Sequence, residues 1–201
     1  MIKNNFINIA RSISYNRGRN KAFNGIIKNK TSNVWLFTDT YKTLNPTKLA
    51  EGLPQRSGIV IRHYNSKNKE DIIRSILNIK KRKALTVLIS GKYKRGLNLD
   101  GKHIPQWLSY NKKLNKITSI SVHSGRDVRK SINLKADLVF ISPVFPSSSH
   151  KEGGHLGVIK LGLLARLFKK HVIALGGINN NNIAKLRSFP ISGCAGIDAF
   201  I

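Results

Sequence analysis

Short apolar runs alternate with amphipathic stretches along most of this chain. The runs Val34–Thr38, Gly58–Arg62 and Leu85–Ser90 are rich in aliphatic residues and are typical of buried parallel strands. Between two of them, Asn68–Lys83 places isoleucine and leucine at helical spacing and gathers lysines in its last turn. This alternation of strand and helix patterns predicts a parallel α/β fold.

The same alternation continues to the last residue. Further strands are predicted at Lys102–Ile104, Ile117–His123, Ala136–Ser142, His171–Leu175 and Cys194–Ala199, and further helices at Pro46–Gly52, Gln106–Leu114, Gly125–Leu134, Val158–Lys170 and Asn179–Ser188. Eight strands predict a compact (β/α)8 TIM barrel over residues 34–201. Because the sequence ends on the last strand, the barrel is predicted to lack a closing C-terminal helix.

Residues 1–33 differ from the rest in composition. They are basic, contain many Asn and Ser and hold no acidic residue. This predicts a disordered basic N-terminal arm, or alternatively an organelle targeting segment, since such segments are basic and poor in acidic residues. The folded domain is therefore predicted to begin at Val34.

The formal net charge is +27, from 36 Lys and Arg against 9 Asp and Glu. Such a charge can indicate a polyanionic partner. Here the basic residues are spread along the whole chain without interleaved aromatics, so a nucleic-acid partner is not expected. No apolar run reaches the roughly 18 residues of a membrane span, so no membrane partner is expected either. The single cysteine, Cys194, lies in an apolar segment and is interpreted as a buried hydrophobe.

Candidate chemistry follows the predicted strands, because TIM barrels carry their sites at the carboxyl ends of the strands. After the seventh strand, Gly176 and Gly177 would let backbone amides approach an anion, although a glycine pair is also an ordinary tight turn. After the sixth strand, Ser147, Ser149 and His150 lie in a loop that could close over a phosphorylated ligand. The alternative for that loop is an unspecialised surface segment.

Two further strand ends carry side chains suited to catalysis. His123 ends the fifth strand beside Ser121 and is a candidate acid or base. His63 and His103 could face the same mouth, but nothing in their spacing indicates a metal, and no metal ligands are assigned. Arg62 ends the second strand and could bind a phosphate or pyrophosphate, or could be one more surface arginine.

Several segments, in this order, resemble the thiamine phosphate synthase/TenI family of thiamine biosynthesis. Asp137–His150 resembles the family signature Asp-hydrophobic-Gly-Pro-Val-Phe-Pro-Thr-x-Thr-Lys, and Ile173–Ile178 resembles Ala-Ile-Gly-Gly-Ile. Trp35–Asp39, Asp100–His103 and Ser121–Ser124 resemble the family's Tyr-Leu-Val-Thr-Asp, Asp-Gly-Val-His and Ser-x-His segments. The resemblance covers nearly the whole predicted barrel.

This resemblance implies a cytoplasmic transferase that joins aminopyrimidine pyrophosphate to thiazole phosphate, releases pyrophosphate and uses Mg²⁺. It assigns Arg62 to the pyrophosphate, Ser147 and Ser149 to the phosphate loop, and Gly177 to the thiazole phosphate. His123 is the candidate acid or base. The expected partners are these two small phosphorylated substrates, and a homo-oligomer is left open.

Other positions depart from the family pattern. The family's Gln and Lys around the arginine, its Asn-Asp pair, a later Asp and the loop Lys are replaced here by Val60, Tyr64, Ser90, Gly91, Leu108 and His150. The expected Mg²⁺ ligands are thus missing, and Mg²⁺ is expected only if the protein is a synthase. A metal-independent thiazole tautomerase and a non-catalytic phosphate-ligand-binding barrel remain alternatives.

Overall fold

The computed structural model describes residues 4–13, 32–64, 68–94, 96–108, 116–147, 154–168 and 171–200. Eight parallel strands form a closed barrel in sequence order: β1 (Val34–Phe37), β2 (Gly58–Ile61), β3 (Thr86–Ser90), β4 (Gly101–Ile104), β5 (Ile117–Val122), β6 (Leu138–Ile141), β7 (His171–Leu175) and β8 (Gly193–Gly196). The helices are α1 (Asn4–Ile13), α2 (Pro46–Gly52), α3 (Lys69–Lys83), α4 (Gly125–Asn133) and α5 (Gly157–Arg166), with 3₁₀ helices η1 (Ile183–Leu186) and η2 (Asp198–Phe200). The predicted TIM barrel is confirmed.

Aromatic side chains fill the interior of the barrel. Trp35 and Phe37 of β1 meet Phe140 of β6 edge to face, with ring centroids 5.3 and 4.7 Å from it. A Cβ atom on Gly58 of the neighbouring strand would lie 2.2 Å from the Trp35 ring, so that position has room only for glycine. Because this packing fills the centre, a ligand cavity has to lie above it at a rim.

The amino-terminal helix α1 packs on the outside of the barrel. Phe6, Ala10 and Ile13 are buried on one face of α1, at the spacing of an amphipathic helix. The helix contacts η1, β8 and β1, and the ring of Phe6 lies 5.3 Å from that of Phe200. It therefore covers the seam between the last and first strands, where the eighth helix of a regular barrel packs.

This placement differs from the predicted disordered arm over residues 1–33 at residues 4–13. Asn4–Ile13 is an ordered helix that belongs to the core, because its apolar residues recur every three or four positions. The basic composition concealed that pattern. Residues 14–31 of the predicted arm lie outside the described residues.

Two predicted elements take a different form after β7. The helix predicted at Asn179–Ser188 is only the short 3₁₀ helix η1, preceded by asparagine turns. The Asn182 side chain accepts the Asn179 amide at 2.9 Å, a local bond that competes with regular helix formation. The strand predicted at Cys194–Ala199 ends at Gly196 and passes into η2. Most of the helix predicted at Gln106–Leu114 lies outside the described residues.

The amino-terminal rim of the barrel is closed by carboxylates. Asp100 accepts a hydrogen bond from the Val87 amide at 2.8 Å and forms an ion pair with Lys80 at 2.9 Å. Asp137 accepts the Thr118 amide at 3.0 Å. These groups hold the strand starts together on the side away from the cavity, which is consistent with a role in stability. Within the described ranges, no helix is both long enough and apolar enough to span a bilayer.

Candidate functional site

A cavity of about 530 Å³ opens at the carboxyl-terminal rim of the barrel. It brings together six of the residues predicted from the sequence: Arg62, Ser121, His123, Ser147, Gly176 and Gly177. Ser149 and His150, the remaining predicted site residues, lie outside the described residues. Residues far apart in the sequence thus meet at one mouth, because parallel strands in a barrel all end at the same rim.

The glycine pair after β7 has no room for side chains. Gly176 and Gly177 have φ angles of +94° and +66°, which glycine adopts readily. A Cβ on Gly177 would lie 2.3 Å from the Pro146 carbonyl oxygen, and one on Gly176 would lie 2.8 Å from the Pro143 Cα. The glycines therefore allow the loop after β6 to lie directly against the loop after β7.

Backbone hydrogen bonds join these two loops. The amides of Val144 and Phe145 donate to the carbonyls of Leu175 and Gly176, each at 3.0 Å. The Asn182 side-chain amide donates to the Gly177 carbonyl at 2.8 Å and fixes the far side of the turn. This side of the mouth is therefore a backbone structure whose conformation is set before any ligand arrives.

Arg62 lies on the other side of the mouth, just beyond β2. Its Nε donates to the Thr38 carbonyl at 3.2 Å, and its guanidinium pairs with Asp39 at 3.4 Å. The guanidinium carbon also lies 5.2 Å from the centre of the Phe37 ring. Burial lowers the pKa of Arg62 and Asp39 opposes that change, so the arginine stays charged at neutral pH. A fixed cation thus borders the cavity.

His103 lies at the floor of the cavity and is almost completely buried. Its Nδ1 is 2.9 Å from the Ser119 hydroxyl and its Nε2 is 3.1 Å from the Ser121 hydroxyl. The rings of Phe37 and Phe140 pack edge to face around it at 5.3 and 5.5 Å. Both ring nitrogens are engaged, so His103 orients the hydroxyl of Ser121 at the cavity wall.

The three histidines of the predicted cluster have different environments. Burial lowers the pKa of His103 to about 3, with Arg62 and His123 adding to the effect, so this ring is neutral at physiological pH. His63 is buried against the Thr38 hydroxyl at 2.9 Å, and burial also lowers its pKa. It does not line the cavity. His123 does line it and is half-buried.

The position of His123 is fixed through its backbone. The His123 amide donates to Asp127 at 3.0 Å, and the same carboxylate oxygen accepts the Ser124 hydroxyl at 2.9 Å and the Gln106 side chain at 3.3 Å. Ser124 also caps the amino terminus of α4. The imidazole is therefore carried on a rigid turn at the rim.

The donors at this rim do not fit Mg²⁺ held by the protein. In the part of the chain that the structure describes, no three His, Cys, Asp or Glu side chains form a metal-binding group. Asp39 faces Arg62 and also accepts two backbone amides of its own loop, at 3.0 and 3.2 Å. Ser90 is 2.8 Å from the Tyr64 hydroxyl. Magnesium favours carboxylate oxygens, and the Asp39 carboxylate at this rim is already engaged by Arg62 and by backbone amides.

Sequence reasoning missed two aromatic residues at the mouth, Tyr64 and Trp107. Both line the cavity, and their ring centroids are 5.7 Å apart. Each follows a predicted strand within three residues, which is the one sequence signal that could have identified them. Their types suggested no chemistry, because aromatic residues are common in protein cores.

Comparison with known proteins places this site in a family. The sequence model described as thiamine monophosphate synthase matches residues 55–200. A thiamine-phosphate synthase of Prochlorococcus marinus subsp. pastoris is 32% identical over 80 residues, which are 40% of this chain and 23% of that protein. One from Clostridium tetani is 29% identical over 86 residues, which are 43% of this chain and 41% of that protein. The chain thus spans less than half the length of either relative.

The fold has a counterpart among solved structures. A structure titled thiamine phosphate pyrophosphorylase from Pyrococcus furiosus superposes with a TM-score of 0.70 and 20% identity, covering 85% of this chain and 87% of that one. At this identity the likeness establishes the barrel fold. Because the family model matches most of the chain, including every strand of the barrel except β1, this protein belongs to the thiamine monophosphate synthase family.

Proposed function

We propose that this protein couples aminopyrimidine pyrophosphate to thiazole phosphate in thiamine biosynthesis. One observation carries the proposal: a single cavity is bordered by an anion-binding group on each of two opposite sides. Arg62 follows β2 and Ser147 follows β6, and these strands are four apart in a closed barrel of eight. A reaction that joins two phosphorylated molecules needs two such places.

Thiazole phosphate is assigned to the glycine side. The rigid turn at Gly176 and Gly177 can present backbone amides to a phosphate, and Ser147 adds a hydroxyl beside them. Ser149 and His150 of the same loop are proposed as further phosphate contacts. The family relationship supports this assignment, because the glycine pair is kept here and Ser147 and Ser149 stand at the positions of the family's loop threonines.

The pyrophosphate is assigned to Arg62. Joining the two substrates displaces pyrophosphate, so negative charge grows on the leaving oxygens as the bond breaks. A guanidinium already held in place by Thr38 and Asp39 stabilises that charge without having to reorganise. Its planar donors also match a diphosphate better than a lysine would.

His123 and Ser121 are assigned to the reacting centre between the two anion sites. His123 is the histidine that borders the cavity in a half-buried position, and Ser121 is oriented by the neutral ring of His103. An imidazole carries one nitrogen that can accept a proton and one that can donate it, as acid–base catalysis requires. A cytoplasmic location remains an expectation from the family resemblance, and a homo-oligomer remains open.

A turnover assay on the full chain tests the proposal. The purified protein receives both substrates, with and without Mg²⁺, and thiamine phosphate is measured by chromatography. We expect thiamine phosphate to form in proportion to protein concentration. A folded protein that binds thiazole phosphate but forms no thiamine phosphate under either condition would contradict the proposal. Tautomerisation of the thiazole carboxylate would then be measured next.

A further inference from the structure

Trp107 is a large aromatic residue left exposed at the rim of the cavity. It is 70% exposed, whereas Trp35 in the barrel interior is 2% exposed. Water contact on so much apolar surface is unfavourable, and exposed aromatics beside a cavity are common at binding sites. The position of Trp107, rather than exposure alone, indicates that it meets a ligand.

The backbone that carries Trp107 is braced on both sides. Lys130 of α4 donates to the carbonyls of Gln106 and Leu108 at 3.2 and 2.6 Å, on either side of Trp107. The Leu108 amide closes the turn onto the Pro105 carbonyl at 3.2 Å. An exposed ring on a braced turn loses little further freedom when a ligand binds, which favours binding.

Tyr64 lies against Trp107 and is itself held in place. The two ring planes are inclined by 66°, and the Tyr64 hydroxyl is 2.8 Å from the Ser90 hydroxyl. A Cβ on Gly91 would lie 3.0 Å from the Tyr64 ring, so the ring packs closely over that glycine. Tyr64 and Trp107 together form an aromatic face on one side of the mouth.

We propose that this aromatic face binds the flat ring of the aminopyrimidine substrate by stacking and edge contacts. The assignment rests on the proposed function. Tyr64 is two residues beyond Arg62 and both line the cavity, so a pyrophosphate attached to a heterocycle on the aromatic face could reach the guanidinium. A flat ring next to an anion is the combination that this substrate carries. Trp107 and Tyr64 are thus binding residues that determine affinity for the pyrimidine.

Tryptophan fluorescence offers a test that is independent of turnover. The chain has two tryptophans, and Trp35 is buried in the interior, so quenching by a ligand at the mouth reports on Trp107. The probe is hydroxymethyl aminopyrimidine, which carries no phosphate and does not react. Titration of the full chain is expected to quench the emission, and Trp107→Phe is expected to abolish that signal.

Affinity measurements by calorimetry complete the test. Trp107→Ala is expected to weaken binding of the probe by about tenfold, the effect of losing one stacking partner, and Tyr64→Leu is expected to weaken it less. Thiazole phosphate should bind both variants as it binds the wild type. Tyr41→Ala removes an aromatic residue that is 90% exposed and does not line the cavity, and should change nothing.

The outcomes separate this inference from the proposed function. Unchanged probe affinity in Trp107→Ala, or no binding of the probe to the wild type, overturns the aromatic face even if thiamine phosphate forms. Weakened probe binding in Trp107→Ala supports the aromatic face even if the wild type forms no thiamine phosphate. In that second case the proposed coupling reaction alone would fail.

Discussion

The two sides of the cavity differ in the protein groups that form them, backbone on one side and side chains on the other. On the β6–β7 side, the proposed anion site consists of backbone at Gly176 and Gly177, held by hydrogen bonds between two loops. On the β2–β4 side, the site consists of side chains, chiefly Arg62, Tyr64 and Trp107. The first side keeps most of the family's sequence pattern, although His150 replaces the loop lysine, whereas the second side departs from it at several positions.

This difference has a physical basis. A backbone site depends on conformations and close approaches that only glycine permits, so almost any replacement removes it. A site formed by side chains can still bind a ligand after a substitution, because the new side chain can offer a different type of interaction. Here a phenol stands in the position of the family's lysine, and its hydroxyl contacts Ser90 where the family has an asparagine. The β2–β4 side can therefore change its binding chemistry by substitution, while the β6–β7 side has to keep its glycines.

The largest expected effect comes from the residue between the two sides. His123→Ala should lower kcat of the coupling reaction by about 10²–10⁴-fold, the range for loss of a general acid or base. His171→Ala is the matched control, because His171 starts β7 at the opposite end of the barrel and lies beside Ser192 at 3.3 Å. Steady-state assays with both substrates measure the effect. Full activity in His123→Ala would remove His123 from the reaction.

A single added methyl group is expected to disrupt the glycine turn on the β6–β7 side. Gly177→Ala should weaken thiazole phosphate binding by about a hundredfold, because its Cβ meets the Pro146 carbonyl at 2.3 Å and its φ is +66°. Gly96→Ala is the control, since Gly96 has φ +88° with nothing within 4 Å of the added methyl. Calorimetric titration should show normal binding there. Equal binding in both variants would mean that the turn holds no phosphate.

The buried histidine at the floor of the cavity, His103, is expected to make the free energy of unfolding depend on pH. The pKa of His103 is about 3 in the folded protein, against about 6.5 when unfolded, so only the unfolded state takes up a proton between those values. Stability is therefore full above pH 6.5 and falls as the pH drops, by about 2 kcal/mol at pH 5. Urea unfolding at pH 7.5 and pH 5 measures this. His103→Gln should lack this part of the loss, and an identical loss in both proteins would contradict the prediction.

A smaller effect on the kinetics is expected from a substitution on the β2–β4 side. Arg62→Gln should raise KM for aminopyrimidine pyrophosphate and lower kcat, for a combined loss of about tenfold in kcat/KM, while leaving the affinity for the unphosphorylated aminopyrimidine unchanged. Arg129→Gln, an exposed arginine on α4, is the control for lost charge on this basic protein. A similar rise in KM in both variants would indicate general electrostatic attraction instead of a specific contact.

Much of the barrel could be predicted because its patterns are local. The apolar run of β3 and the amphipathic α3 end within a residue or two of their predicted bounds, since burial on one or both faces shows in the sequence. The helix α1 was missed because its apolar face is set in a basic, asparagine-rich stretch. The helix predicted at residues 179–188 was too long, because asparagine side chains there form local hydrogen bonds that favour turns.

The candidate site was predicted unevenly for a related reason. The positions of Gly177 and His123 followed from their place after strands, since every parallel strand ends at the same rim. Which histidine of the cavity is only half-buried did not follow, because the burial of His103 depends on packing by Phe37 and Phe140 around it. The aromatic face was likewise not predicted, since no local sequence pattern indicates that Trp107 is exposed.

By itself, the sequence determined the order of the strands, the fold and the rim at which the candidate site lies, because these follow from periodicity and chain direction. The tertiary structure decided which side chains meet. It brought Arg62 and Tyr64 of one loop to the same cavity as Trp107. It buried His63 and His103 and left His123 at the surface of the cavity. Burial and distance depend on contacts between segments far apart in the chain, and no local pattern records them.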